Sequence, residues 1–243
     1  MFKQALIFAG GKGTRFLEQT KFLPKPMIRA KQEPLLIHII NHYIKFGIDD
    51  FYILTGYKHE VIDEYFSTHP NFKKNSNFYI SEQNVKISLL NTGEETLTGG
   101  RLLKAMNEHD FENFYLTYGD GISDVNIKNL TDYHIREARI GTMTAVSPPP
   151  RFGNIEIEDG MVTRMSEKKE KEPSWINGGF FVFNNSIKNY LTKDEPFEQT
   201  PLINLAQQNQ LSAYKHTGYW QCVDTIRELE ILESDIDSEK IIV

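Results

Sequence analysis

A glycine-rich segment near the N-terminus carries the clearest chemical signal in the sequence. It reads Ala9-Gly10-Gly11-Lys12-Gly13-Thr14-Arg15 and directly follows an apolar run that ends in Phe8. Glycines have no Cβ, so the backbone N–H groups of such a loop can converge on a phosphate. Lys12 and Arg15 add positive charge, and an arginine can hold two phosphate oxygens at once. The pattern predicts a phosphate-binding loop, and a tight turn with charged surface residues is the alternative.

Two commoner glycine motifs do not fit this segment. The dinucleotide-binding pattern GxGxxG, begun at Gly11, requires a third glycine where Phe16 stands. The nucleoside-triphosphate pattern GxxxxGK[ST] has no match, because Gly13 is followed by threonine and arginine. A Rossmann-type oxidoreductase is therefore disfavoured.

A lysine between two prolines is a second candidate. Lys25 lies in the segment Leu23-Pro24-Lys25-Pro26-Met27, and the prolines hold the backbone around it in an extended form. A rigid frame suits an ammonium that must be aimed at a phosphoryl group. Taken alone, the segment is also typical of a surface lysine in an extended linker.

Two aspartates far apart in the chain are candidate metal ligands. Asp120 stands between two glycines after an apolar strand pattern, and Asp224 follows Gly218-Tyr219-Trp220-Gln221-Cys222-Val223. Magnesium is usually held by one or two carboxylates together with phosphate oxygens and waters. The metal hypothesis requires both aspartates to meet across a cleft. Each one separately is also typical of a turn or of a helix N-cap, Asp224 especially.

The histidines and the single cysteine predict no further site. His38 and His42 are four residues apart on one predicted helix, but no third ligand lies near them in the sequence, so we interpret them as surface or hydrogen-bonded histidines. Cys222 is the only cysteine, which excludes an internal disulfide and a multi-thiolate metal site. We expect it to be a small half-buried residue, and a catalytic thiol is the alternative.

Strands and helices alternate in the first part of the chain and place these residues at strand ends. The spacing predicts strands over 4–9, 50–55, 114–117 and 141–146, and helices over 35–46, 60–66, 101–107 and 127–136. Such alternation is typical of a mostly parallel α/β sheet, in which ligands collect at the carboxyl ends of the strands. The glycine loop and Asp120 both follow such ends.

The second half of the chain predicts antiparallel strands. Residues 154–157 and 161–166 flank Asp159-Gly160, a typical hairpin turn, and 176–183 forms a further strand. We expect these strands at the edge or on the face of the parallel sheet. The chain is predicted to be one domain, with a first part over about 1–145, a second part over about 146–225 and a final helix over 225–236.

Charge and hydropathy limit the partners. The formal net charge of −6 argues against a nucleic-acid partner, because phosphate backbones are bound mainly through an excess of lysine and arginine. No stretch has the roughly 18 apolar residues that would cross a bilayer. We expect a cytoplasmic protein without membrane association.

The motifs together resemble the sugar-nucleotidyltransferase family. The glycine loop followed by Pro24-Lys25-Pro26-Met27 is specific to that family, and later segments are similar to its glucose-1-phosphate cytidylyltransferase branch. Those segments are Thr98-Gly99-Gly100-Arg101, Thr117-Tyr118-Gly119-Asp120-Gly121, Pro149-Pro150-Arg151-Phe152-Gly153, Ile176-Asn177-Gly178-Gly179-Phe180-Phe181 and Tyr219-Trp220-Gln221 with Asp224-Thr225. The resemblance implies a Rossmann-like, mostly parallel twisted sheet with helices on both faces and added antiparallel strands in the second half.

The resemblance also implies a role for each site residue. CTP is expected at a nucleotide site formed by Phe8, Ala9, Gly10, Gly11, Lys12, Gly13, Thr14, Arg15, Lys25, Arg101 and Gly119. A sugar 1-phosphate, expected to be glucose 1-phosphate, would lie against Gly153, Glu167, Lys168, Asn177 and Gly178. Asp120 and Asp224 would hold Mg²⁺, and the catalytic residues would be Arg15, Lys25, Asp120 and Lys168. A homo-oligomer is expected.

The expected reaction transfers a cytidylyl group to the sugar 1-phosphate and releases pyrophosphate, supplying a CDP-sugar for cell-surface polysaccharide or deoxysugar synthesis. The reaction requires the protein to align the two phosphates and to neutralise their charges. No protein base is required, because the attacking phosphate oxygen is already an anion. Two alternatives stay open: a nucleotidyltransferase that uses UTP, GTP, dTTP or another sugar 1-phosphate, and a non-catalytic regulatory protein that binds nucleotide sugars.

Overall fold

The computed structural model describes residues 2–13, 22–148, 154–166 and 174–242. Its strands, in chain order, are β1 (Gln4–Ala9), β2 (Arg29–Ala30), β3 (Glu33–Pro34), β4 (Asp50–Thr55), β5 (Phe72–Asn75), β6 (Phe78–Ser81), β7 (Lys86–Asn91), β8 (Asn113–Tyr118), β9 (Gly121–Ser123), β10 (Gly141–Val146), β11 (Asn154–Glu158), β12 (Met161–Ser166), β13 (Ile176–Asn184), β14 (Leu211–His216) and β15 (Trp220–Cys222). The α-helices are α1 (Leu35–Ile44), α2 (His59–Thr68), α3 (Thr98–Glu108), α4 (Ile127–Glu137), α5 (Thr200–Gln207) and α6 (Ile226–Asp237). Two 3₁₀ turns cover Lys25–Met27 and Asn185–Tyr190.

Nine strands form one mixed sheet in the order β14-β10-β13-β8-β1-β4-β7-β6-β5. The four central strands β8, β1, β4 and β7 are parallel to one another, and β10 and β14 are a second parallel pair. Three of the central strands, β1, β4 and β8, are apolar runs buried along most of their length, as expected for parallel strands covered on both faces. The predicted α/β class with a mostly parallel sheet is therefore confirmed.

Helices cover both faces of this sheet, and the alternation of side chains along β1 shows the two layers. Ala5 and Ile7 belong to a core cluster that also contains buried residues of α1, α2, α4 and α6. Leu6 and Phe8 belong to a second cluster, with buried residues of α3 and α5. Because side chains alternate along a strand, one strand contributes to both cores. Both cores fix the carboxyl end of β1, where the glycine loop begins.

The antiparallel strand β13 lies at a different position in the sheet from the one that the sequence predicts. β13 does not lie at an edge: it is inserted between β8 and β10 and is antiparallel to both. β11 and β12 form the predicted hairpin as a separate two-stranded sheet, and its turn residues Asp159 and Gly160 both have positive φ. That backbone suits the two-residue turn that the Asp-Gly pair predicts. Strands from both predicted parts of the chain share the nine-stranded sheet.

The last helix has a capping box at its N-terminus. The Thr225 hydroxyl accepts a hydrogen bond from the backbone N–H of Glu228, and the Glu228 carboxylate accepts one from the backbone N–H of Asp224. The predicted alternative of Asp224 as the N-cap is therefore wrong, because Thr225 occupies that position. The Asp224 side chain is turned toward the cleft. Among the described residues, no helix has the length and apolar character needed to cross a membrane.

Candidate active site

A short two-stranded sheet brings the two aspartates together. β9 and β15 pair antiparallel, with Gly121 opposite Cys222, and the backbone N–H of Val223 donates to the Asp120 carbonyl at 3.0 Å. Asp120 and Asp224 flank this pair of strands, one before β9 and one after β15. Residues 104 positions apart in the sequence (224 − 120) are thereby neighbours in space. The requirement that both carboxylates meet across a cleft is satisfied.

Lys25 lies between these two carboxylates. Its Nζ is 2.5 Å from Oδ2 of Asp120 and 2.5 Å from Oδ1 of Asp224. The 3₁₀ turn at Lys25–Met27 holds the lysine in place, and the side chain is largely buried. Burial alone lowers the pKa of the ammonium, but the neighbouring groups, chiefly Asp120, outweigh it and raise the pKa above its usual value. Lys25 is therefore charged and neutralises the repulsion between the aspartates.

These three residues lie in a cleft of about 300 Å³ at the carboxyl ends of β1 and β8. The cleft is lined by Phe8, Ala9, Gly11, Gly13, Lys25, Pro26, Thr98, Tyr118, Gly119, Asp120 and Asp224. Gly119 is needed for this geometry, because a Cβ there would come within 2.7 Å of the Phe8 carbonyl oxygen and of Pro26. The structure thus brings together most of the described residues that the sequence predicts for the nucleotide.

The Arg101 side chain holds the glycine loop in place through hydrogen bonds. Its guanidinium is buried and donates to the carbonyl oxygens of Gly10, Thr55, Gly93 and Glu94 and to the Thr92 hydroxyl. A Cβ at residue 10 would collide with this guanidinium. Gly10 is therefore required by a side chain 91 positions later in the sequence as well as by any approach to phosphate. A direct contact between Arg101 and a nucleotide stays a prediction.

Lys12 lies on the outer side of the loop. Its ammonium pairs with Glu95 at 2.5 Å and with Glu94 at 3.9 Å, and it does not line the cleft. The hydrogen bond to Glu95 is the main cause of a raised pKa for this exposed lysine. Lys12 ties the loop to the segment before α3, and its predicted contact with the nucleotide stays a prediction.

The donor set at the two aspartates fits a divalent cation. Asp120, Asp224 and Cys222 each offer a ligand atom within 4.8 Å of the other two, and this is the only such group found among the described residues. Two carboxylates are hard oxygen ligands of the kind that Mg²⁺ prefers. Burial, followed by the charge of Asp120, raises the pKa of the Cys222 thiol well above its usual value. The thiol is therefore protonated, which disfavours the catalytic-thiol alternative.

Three polar residues at or beside the cleft, Tyr118, Thr98 and Glu198, are not among the site residues predicted from the sequence. Tyr118 and Thr98 line it, and both donate hydrogen bonds to the carboxylate of Glu198, at 2.7 and 2.9 Å. Asn177 donates from Nδ2 to the Tyr118 hydroxyl at 3.2 Å. Its neighbour Gly178 accepts a hydrogen bond from the indole N–H of Trp220 at 2.8 Å. Asn177 and Gly178 therefore lie beside the residues of the cleft.

Several predicted site residues lie outside the described part of the chain. They are Thr14 and Arg15 of the glycine loop and Gly153, Glu167 and Lys168 of the sugar-phosphate site. The histidine pair, in contrast, is defined. His38 and His42 donate from Nε2 to the backbone carbonyls of Ala30 and Val125; His38 is buried and His42 is half-buried. Of the two interpretations predicted from the sequence, surface or hydrogen-bonded histidines, the hydrogen-bonded one therefore applies to both.

Comparison with known proteins identifies the family to which this chain belongs. The family model "Nucleotidyl transferase" matches residues 4–237, and the chain belongs to that family. It is 41% identical to the glucose-1-phosphate cytidylyltransferase of Salmonella typhi, over 95% of this chain and 94% of the relative. It is 31% identical to the D-glycero-α-D-manno-heptose 1-phosphate guanylyltransferase of Aneurinibacillus thermoaerophilus, over 76% of each protein.

A solved structure supports the fold. The crystal structure of UDP-glucose pyrophosphorylase in complex with UDP-glucose matches with a TM-score of 0.74 at 18% identity, over 98% of this chain and 100% of that one. At this level of identity the match concerns the fold alone. The nine-stranded sheet and its two helical layers are thus those of a nucleotidyltransferase.

Proposed function

We propose that this protein transfers the cytidylyl group of CTP to glucose 1-phosphate and releases pyrophosphate. The observation that carries the proposal is the group formed by Lys25, Asp120 and Asp224 at the mouth of the glycine loop, where an ammonium and two carboxylates converge in one cleft. The choice of cytidine and glucose follows the relative at 41% identity over nearly the full chain.

The chemistry is an in-line displacement at phosphorus. A phosphate oxygen of the sugar 1-phosphate forms a bond to the α-phosphorus of CTP, and the bond from that phosphorus to the bridging oxygen of the β-phosphate breaks. The electron pair of the broken bond leaves with pyrophosphate. No protein base is needed, because the attacking oxygen carries no proton to be removed. The protein aligns the two phosphates and neutralises their charges.

The residues of the cleft divide this work. Asp120 and Asp224 would hold Mg²⁺, which supplies positive charge and a template for the α-phosphate when it is bound. The Lys25 ammonium is aimed into the same cleft and would neutralise charge on the departing pyrophosphate. Gly11 and Gly13 offer a backbone surface that phosphate oxygens can approach. Arg15 and Lys168 are proposed to complete the charge balance, with Lys168 and Glu167 next to the sugar phosphate and Gly153, Asn177 and Gly178 around the sugar.

The decisive experiment is a pyrophosphate-release matrix of CTP, UTP, GTP and dTTP against several sugar 1-phosphates, with Mg²⁺. CTP with glucose 1-phosphate should give the highest kcat/KM. A preference for GTP, the nucleotide implied by the name of the heptose-phosphate relative, would contradict the cytidine assignment. Tight nucleotide binding without turnover on any sugar phosphate would favour the regulatory alternative.

A pair of variants tests the metal site. D120N should lower kcat by about 10²–10³-fold, since the removal of one electrostatic stabiliser typically costs that much. D132N is the matched control, because Asp132 pairs only with Lys128 on the exposed side of α4, and it should leave kcat unchanged. Full activity of D120N would overturn the metal assignment. A cytoplasmic location and a homo-oligomer remain predictions, to be checked by fractionation and by light scattering.

A further inference from the structure

A chain of hydrogen bonds links the two sides of the cleft. Glu198 accepts one hydrogen bond from the Thr98 hydroxyl on one carboxylate oxygen and one from the Tyr118 hydroxyl on the other. The Tyr118 oxygen in turn accepts from Nδ2 of Asn177, and Oδ1 of Asn177 accepts from the backbone N–H of Gly179 at 2.9 Å. The chain therefore runs from the start of α3 to the start of β13.

The direction of each hydrogen bond in this chain is fixed by its two ends. A carboxylate can only accept, so the phenolic proton of Tyr118 points to Glu198. The backbone N–H of Gly179 can only donate, so the atom of Asn177 that faces it is the amide oxygen. Tyr118 is then an acceptor toward Asn177, and Asn177 must donate to it. The amide has one orientation, because the reverse would place its oxygen against the Tyr118 oxygen and its NH₂ against the Gly179 N–H.

The Tyr118 ring is held firmly enough to transmit this orientation. It packs between Phe8 and Phe181, with ring centroids 5.8 and 5.9 Å away. Burial, with a further contribution from Glu198, raises the pKa of its hydroxyl well above the usual value, so the phenol keeps its proton. Gly179 has a positive φ, and its backbone approaches the Tyr118 ring closely. The ring and the first residues of β13 therefore form one rigid unit.

We propose that Glu198 is a positioning residue for the sugar 1-phosphate, acting through Tyr118 to fix the amide of Asn177. With Oδ1 directed to Gly179 and one N–H directed to Tyr118, Asn177 presents its second N–H as a donor to a sugar hydroxyl. The inference rests on the proposed function, because it takes Asn177 to be part of the sugar site. Glu198 itself is exposed and touches the substrate only through these residues.

Steady-state kinetics of the wild type and three single variants test the proposal. E198A should raise the KM for glucose 1-phosphate about tenfold, with the KM for CTP and kcat each within about threefold of wild type. E198Q should stay within about threefold in all three values, since a glutamine oxygen can still accept from Tyr118. E108A is the matched control: it removes an exposed carboxylate at the end of α3 that does not line the cleft, and it should leave all three values unchanged.

A double-mutant cycle separates action through Asn177 from a merely structural effect. E198A placed on N177A should add no more than about twofold to the KM for glucose 1-phosphate, because the group it positions is already gone. Independent effects of the two changes, or an equal rise in KM for both substrates in E198A, would overturn the proposal. Wild-type protein that releases no pyrophosphate with any sugar phosphate would overturn the proposed function instead.

A spectroscopic readout keeps the two failures distinct. The side-chain amide resonances of Asn177, assigned by their loss in N177A, should shift in E198A and in Y118F and remain in place in E108A. Unchanged Asn177 resonances in E198A would overturn the positioning role even if activity falls. Shifted resonances in a protein with no turnover would leave the positioning of Asn177 supported and the proposed reaction refuted.

Discussion

Replacement of the buried Arg101 gives the sharpest test of how the glycine loop is held. R101M keeps much of the apolar stem and removes the guanidinium. Of its five acceptors, the Gly10 carbonyl also accepts from the Tyr57 N–H, and the Thr55 carbonyl also accepts from Thr92. The Gly93 carbonyl and, closer to solvent, that of Glu94 lose the hydrogen bond that Arg101 donates to them. One to two acceptors are therefore left without their donor.

The expected cost follows from these acceptors. An unsatisfied buried acceptor costs about 1–3 kcal/mol, and avoiding the burial of a guanidinium, whose pKa burial lowers here, offsets part of this. We expect R101M to lower the free energy of unfolding by about 3 kcal/mol. For a chain of this size that corresponds to a fall in Tm of about 6–12 °C. The KM for CTP should rise about tenfold, because the Gly10 loop loses its anchor.

Chemical denaturation and calorimetry of R101M beside R136M provide the measurement. Arg136 is exposed and pairs with its neighbour Glu137, so R136M should change stability by less than about 0.5 kcal/mol. An R101M protein as stable as R136M, with an unchanged KM for CTP, would refute the view that the guanidinium holds the loop.

Two other predictions concern His42 and Lys25. Burial lowers the pKa of His42 from 6.5 to about 4. Between these two pH values the unfolded chain binds a proton at His42 that the folded chain does not bind. The free energy of unfolding is therefore at its full value above about pH 6.5 and falls by about 3 kcal/mol as the pH drops to 4. H42N should flatten that part of the pH profile of unfolding, and an identical slope in the variant would contradict the assignment. K25M removes the ammonium between the two aspartates and should bind Mn²⁺ at least tenfold more tightly than wild type without nucleotide, as measured by titration calorimetry. Equal or weaker binding would show that Lys25 does not compete for these carboxylates.

Local patterns in the sequence predict the elements better than their arrangement. The strands at 4–9, 50–55 and 141–146 have the bounds that the sequence predicts, because burial of a continuous run of side chains determines where such a strand begins and ends. The hairpin at Asp159-Gly160 follows from turn chemistry that two residues determine. The polar edge strand β5 and its neighbour β6 give no comparable signal, since their few buried side chains leave no continuous apolar run.

In the candidate site, too, the sequence predicts individual residues better than the contacts between them. The glycine loop, Lys25 and the two aspartates are visible in the sequence because each has a characteristic local setting. The insertion of β13 between β8 and β10, the Arg101 anchor and the role of Glu198 depend on contacts between residues about 60 to 100 positions apart. No periodicity encodes such contacts, because they arise only when the sheet is assembled. Thr225 displaces Asp224 as the cap for a similar reason, since the pairing of β15 with β9 directs Asp224 into the cleft.

The reversed direction of β13 has a consequence for how such a protein can diversify. Val146, the last residue of β10, pairs directly with Ile176, the first residue of β13. Between them, β11 and β12 form a separate sheet, so the chain leaves the nine-stranded sheet after Val146 and rejoins it at the same point. Lengthening such an excursion costs little, about 0.6 kcal/mol for each doubling of a flexible loop, and does not alter the strand register. The segment that contains Gly153, Glu167 and Lys168 can therefore change in length and sequence while the sheet that carries Lys25, Asp120 and Asp224 keeps its geometry.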